Sequence, residues 1–161
     1  MSKSKMLEGH IKALKGLGDK TAQAGWFESA RYPVDKEGNG GESVAYIARI
    51  LNSGATIKKV NEDGVLVITI PARPFMRLAR FMFMQERKAL EKRLSQRIIR
   101  GKLDPEQFLN QIGMFLEGKI LTAMKEGDWA PNAPWTIRAK GFDQPLVESG
   151  HMAQSVTSKV T

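Results

Sequence analysis

Apolar residues recur at spacings of three and four in four stretches of the chain and alternate with polar ones in others, a pattern that predicts a mixed α and β fold. Residues 3–17 set Met6, Leu7, Ile11, Leu14 and Leu17 on one face of a short helix closed by Gly16 and Gly18. Thr21–Tyr32 spaces Ala22, Ala24, Trp26 and Ala30 among polar residues and reads as a strand. Pro33 to Gly41 is a surface loop by composition. Glu42–Asn52 then places Val44, Ile47, Ala48 and Leu51 on one helical face, and Gly54 stops it.

Val60–Ile70 reads as two strand pieces around Asn61-Glu62-Asp63-Gly64, whose Asp-Gly pair signals a hairpin. Val65, Val67 and Thr69 alternate with Leu66, Ile68 and Ile70, so both faces are largely apolar, which predicts a central strand covered on both sides. Pro71 and Pro74 end that pattern. A long helix is predicted from about Phe75 to Arg100, with Leu78, Ala79, Met82, Phe83 and Leu90 inward. After Arg93 its stripe drifts toward Leu94 and Ile98, as a bend or a change of packing partner requires.

Asp104 is an N-cap, Pro105 stands at N1, and Phe108, Ile112, Phe115, Leu116, Ile120 and Ala123 mark the buried face of a second long helix to about Lys125, with Gly127 as its C′ residue. The short connection makes the two helices an antiparallel pair. Asp128 onward is Pro-rich and irregular until Met152, then alternates weakly through Val156 and Val160. The expected fold is α+β: a small, mostly antiparallel sheet packed with two long antiparallel helices, plus an N-terminal helix. Residues 1–20 form a helical arm in this reading, and residues 21–161 a single domain.

Composition narrows the function. Hydrophobic content of 42% and charged content of 26% are ordinary for globular protein. The absence of cysteine excludes a disulfide framework, a zinc ribbon and a thiol nucleophile, and fits assembly in a reducing cytoplasm. No apolar run is long enough to span a membrane, no apolar region follows the basic start, and Ser2 replaces the glycine that myristoylation needs. The net charge of +8 favours a polyanion or an acidic partner surface. Ten Lys/Arg lie between Arg73 and Lys102 against Glu86 and Glu91 alone, so this one segment carries the whole excess.

Catalytic patterns are lacking. His10 and His151 each stand without a second ligand at helical spacing, so no metal site is expected. Gly38-Asn39-Gly40-Gly41 lacks the Gly-Lys-Ser/Thr of a phosphate loop. Ser149 has no base at hand beyond those histidines, and Asp35/Glu37 and Glu62/Asp63 belong to glycine-flanked turns. No cofactor is expected. The basic helix is either a solvated face or a surface for phosphates or an acidic protein, and its scarcity of acids favours the second. Phe75, Phe81 and Phe83 lie too near the predicted core stripe to serve as base-stacking groups.

Three stretches, in order, resemble one family. They are Val44-Ala45-Tyr46-Ile47-Ala48-Arg49-Ile50-Leu51-Asn52-Ser53-Gly54-Ala55, Ile70-Pro71-Ala72-Arg73-Pro74-Phe75-Met76-Arg77, and Trp129 to Lys140 followed by Gln144-Pro145-Leu146-Val147-Glu148-Ser149-Gly150-His151-Met152. The pattern is similar to the phage virion-morphogenesis group of tail-completion (neck, head–tail joining) proteins. The likeness covers roughly residues 22–160. The chain departs from the family at Leu51 to Gly54, where an Asn-Glu pair is common, and at Asn132, where Leu is frequent.

The resemblance implies a structural virion protein at the head–tail junction, assembled in the host bacterial cytoplasm. It implies a homo-oligomeric ring, expected to be a hexamer, around the DNA channel. The partners it implies are other neck and tail proteins: a connector or adaptor and a tail terminator. Within it, Arg77, Arg80, Arg87, Lys88 and Lys92 are candidates to face DNA or the connector. Trp129, Trp135, Pro145 and Leu146 are candidate subunit contacts, with core packing an equal alternative for the two tryptophans. Pro71, Arg73, Pro74, Phe75 and Gly150 are fold-defining. The alternatives are a tail terminator or other minor tail protein and, more distantly, a non-enzymatic DNA-binding regulator.

Overall fold

A capped helix, a hairpin and two long helices follow one another between Val44 and Glu126. The computed structural model describes residues 11, 15, 18–34, 36, 38, 40–61, 64–147 and 150–161, so the predicted helix over 3–17 falls almost entirely outside it. Strand β1 (Ala22–Gly25) pairs antiparallel with β4 (Thr157–Val160) in the register Ala22↔Val160 to Gly25↔Thr157. The strand read over Thr21–Tyr32 is therefore much shorter. Its remainder turns and returns as a single bridge, Arg31↔Ser43.

Helix α1 (Val44–Ser53) starts where the Ser43 side chain accepts from the Tyr46 N–H, 3.4 Å away. It stops at Gly54, whose φ of 74° needs glycine and where a Cβ would stand 2.9 Å from Ala72 N and Ile70 O. β2 (Ala55–Asn61) and β3 (Gly64–Ile70) then pair antiparallel from Ala55↔Ile70 to Asn61↔Gly64. The hairpin signal is met. β2 starts earlier than the alternation predicted, because Thr56, Lys58 and Lys59 hide it. The described residues form two separate two-stranded sheets rather than one.

Helix α2 (Phe75–Ile99) and helix α3 (Pro105–Glu126) are the longest elements. The Asp104 side chain accepts from Gln107 N and the Gln107 side chain returns to Asp104 N, a reciprocal cap that fixes the start of α3 beside Pro105. Contacts between the two helices run in opposite directions along the sequence, with Glu86 pairing with Lys119 earlier in α2 and Arg97 reaching Gln111 later in it. The pair is antiparallel. Gly127 ends α3 at φ −68°, so its conformation is not left-handed; glycine is needed there because a Cβ would lie 2.2 Å from the Trp129 ring.

The irregular tail contains two short helices, α4 (Pro134–Lys140) and α5 (His151–Gln154). Pro134 at the first helical position was the available signal for α4.

Two clusters make the core. The larger joins Val44 and Ala48 of α1, Phe75 and Ala79 of α2, Ile120, Ala123 and Met124 of α3, and Leu146, Met152 and Val156 of the tail. The smaller joins Leu90, Leu94, Ile98 and Leu103, with Phe108, Ile112 and Phe115 against them. The drift of the α2 stripe after Arg93 is this change of partner. β1 and β4 lie on α3 at Gly113, where a Cβ would meet Ser158 Cβ at 3.0 Å. Burial of Phe75, Leu94, Ile120 and Val44, all below 2% exposed, contributes about 1.5–3 kcal/mol each.

Candidate functional site

Arg73 sits between two prolines that hold the chain out of helix, and this geometry turns its side chain inward. The residue is 3% exposed, the one buried charged residue among those described. Its Nε donates to Ala130 O at 3.0 Å, and its second terminal nitrogen donates to Pro131 O at 3.1 Å and Asn132 Oδ1 at 3.3 Å. The Asp143 carboxylate accepts from Asn132 N at 3.1 Å and favours the guanidinium charge. Burial outweighs it and lowers the Arg73 pKa, but an arginine starts so far above neutrality that the group stays charged.

The backbone around Arg73 is tied as firmly. Arg73 N donates to Leu51 O at 3.0 Å, and Met76 N donates to Asn52 Oδ1 at 3.1 Å. Phe75 is fully buried and meets Trp26 edge to face, centroids 5.8 Å apart, while Trp26 Nε1 donates to Met152 O at 2.7 Å. Pro71, Arg73, Pro74 and Phe75 thus join α1, α2 and the tail. Trp26, which sequence reasoning did not single out for this, closes the far side.

Trp129 and Trp135 have different surroundings. Trp129 is half-buried against the core and donates from Nε1 to Met124 O at 3.3 Å, satisfying a carbonyl in the last turn of α3. Trp135 is 58% exposed. Leu146 is buried in the chain's own core, and Pro145 is half-buried. Leu146 also holds φ 62°, a left-handed conformation that disfavours a side chain by roughly 1–2 kcal/mol. Lys140 spans that turn by donating to Gln144 O and Val147 O, and Gly150, at φ 76°, starts α5. His151 Nε2 lies 2.8 Å from Arg31 O, so that nitrogen carries the proton.

Beside this knot lies a groove of about 380 Å³ between α1, the base of the hairpin and α4. Ile47, Leu51, Ile57, Ile68, Trp135 and Val147 line it together with Thr69, Arg73, Asn132, Thr136, Lys140 and His151. Asn132 reaches its lining with Nδ2 buried and unpaired. The hairpin that forms one side projects beyond it. The strand predicted as central and covered is exposed: Val60 is 76% and Val65 62% accessible, and Ile57, Leu66 and Val67 are similarly open. Among the described residues of that strand, Ile68 and Ile70 at the base are half-covered.

Arg77, Arg80, Arg87, Lys88 and Lys92 are all exposed on α2, within an arc of roughly 140° by helical geometry. Arg87 is held by Glu91 at 2.6 Å. The other four make no ion pair within 4.0 Å among the described residues. Phe81, expected beside the core, is 59% exposed within the same arc, while Phe75 and Phe83 do lie inward. Among the described residues no group of three acidic, histidine or cysteine side chains is placed to hold a metal, and no helix is long and apolar enough to cross a membrane. Comparison with protein-family models, with characterised proteins and with solved structures finds no match to this chain.

Proposed function

We propose that this chain is a structural virion protein of a tailed bacteriophage, a tail-completion or neck protein that forms part of a ring around the DNA channel where head meets tail. It acts by shape and charge and not as an enzyme. One observation carries the reading: the three stretches that resemble the family meet at Arg73. The second stretch supplies the guanidinium, the third supplies Ala130, Pro131 and Asn132 as acceptors, and the first supplies Leu51 O and Asn52 Oδ1 to the adjoining backbone. Segments far apart in sequence that share one buried hydrogen-bonded junction are a single architectural unit. The basic face of α2 then lies ready for channel DNA or an acidic connector, with contacts that are independent of sequence and sensitive to salt.

Interrupting the coding sequence for this chain in the producing phage tests the reading. The expected lysate contains DNA-filled heads and separate tails, and the intact protein added back joins them. Normally joined particles without the chain would overturn the proposal. A chain that instead purifies bound to free tails, at their upper end, is a tail terminator. The exposed basic arc also favours a free DNA-binding regulator; tight, salt-dependent duplex binding by a chain missing from particles would mark that reading.

A further inference from the structure

We infer that the exposed face of α2 around Phe81 is a docking surface for an acidic protein segment, which sets an apolar side chain into a notch beside Trp129. The inference deepens the neck reading by naming what the basic arc meets. It rests on that reading for the partner's place in the virion.

The face has an apolar centre and a cationic surround. Phe81 is 59% exposed and Met84 48%, and steps of 100° per residue put both inside the basic arc. Arg77 stands about one turn before Phe81 and Lys88 about one turn after Met84. Arg80 and Arg87 border one flank, and Lys92 borders the other. Glu91 is the single acid within the arc, and Arg87 holds it. Arg77, Arg80, Lys88 and Lys92, without ion pairs among the described residues, spread over roughly 22 Å of helix.

Next to Phe81 the surface dips into an open notch of about 430 Å³, walled by Pro74, Arg77, Leu78, Phe81, Asp128 and Trp129. The indole is already fixed there. Its Nε1 donates to Met124 O at 3.3 Å, and its ring closes over Gly127. An incoming side chain therefore meets a preformed apolar wall, and ordering that wall on binding costs little.

The lining of the notch and the residues around it select the occupant. A nucleic-acid backbone has evenly spaced negative charges, and along this face they would have to pass the exposed Asp128. A protein segment can instead set an apolar side chain beside Asp128 and carboxylates opposite Arg80, Lys88 and Lys92. Phosphates would also leave Phe81 and Met84 without a partner. Arg, Met and aromatic residues are the types that protein interfaces concentrate, in an apolar centre with a polar rim. Single strands stack successive bases on several rings along a groove, whereas α2 exposes one ring on a convex surface. Five cations against one acid make the complementary segment an acidic one.

The test titrates the full chain with three fluorescein-labelled probes, read by anisotropy. They are a Glu-rich peptide carrying two leucines, the same peptide with both leucines replaced by serine, and duplex DNA. The leucine peptide is expected to bind roughly tenfold tighter than the serine peptide and tighter than DNA. Phe81→Ser, at an exposed position, should remove the difference between the peptides and leave Tm unchanged. Arg80→Glu with Lys88→Glu should weaken both peptides. Equal binding of the two peptides, a difference that survives Phe81→Ser, or no binding of the leucine peptide would overturn the inference. Duplex DNA bound more tightly than either peptide would overturn it in favour of nucleic acid. Failure here with the chain still located at the head–tail junction rejects the docking surface and leaves the neck reading standing. Peptide docking by a chain missing from virions has the opposite meaning.

Discussion

Arg73 and Val67 lie six residues apart and have opposite surroundings. Arg73, a charged residue, is buried and satisfied by three acceptors; Val67, an apolar one, stands in solvent. The first is a fixed junction, where hydrogen bonds compensate a buried charge. The second belongs to a hairpin whose apolar side chains are exposed. The difference separates a packed, hydrogen-bonded junction from a solvent-facing hairpin.

Substitutions can break or sharpen that division. The largest expected effect is in the body: Phe75→Ala empties a fully buried site and should destabilise by about 3–5 kcal/mol, a fall in Tm of roughly 10 °C or more by thermal unfolding. Arg73→Met should follow at about 3 kcal/mol, since it leaves the acceptors on residues 130–132 without donors. Arg73→Lys should recover little of this, because one ammonium cannot match a planar fork. Gly54→Ala is expected to cost about 2 kcal/mol, from left-handed strain and the approach of Ala72 N and Ile70 O.

On the hairpin, Val65→Lys should move Tm by no more than about 0.5 kcal/mol would, because the side chain it replaces is exposed. A large loss of monomer stability would show that the hairpin belongs to the body after all. The smallest thermal effect is expected for Arg80, Arg87 and Lys88 reversed together to Glu. The Arg87–Glu91 pair they disrupt is exposed and worth roughly 0.3–0.5 kcal/mol. Folding should survive while head–tail joining fails; unchanged joining would reduce the basic arc to solvated surface.

Legibility in the sequence followed burial. α2, α3 and the Asp104 cap were readable because their periodicity and caps are local. The hairpin turn was readable from its Asp-Gly pair. The placement of β3 was not, since apolar alternation states that a strand needs cover but not whether the same chain supplies it. β2 was shortened in the reading because a solvated strand keeps no burial pattern at Lys58 and Lys59. Arg73 was legible as a fold-defining residue between prolines, but its acceptors lie 57–59 positions away and leave no local mark. For Trp129 the Pro-rich segment, which shows no period, left interface and core packing equally open, and the fold packs both Trp129 and Leu146 against the core.

The most direct test of the account is immunogold electron microscopy of particles from the producing bacterium, with antibody raised to this chain. The account predicts label confined to the junction of head and tail. Label along the tail or at its tip, or particles without label from cells rich in the protein, would contradict it.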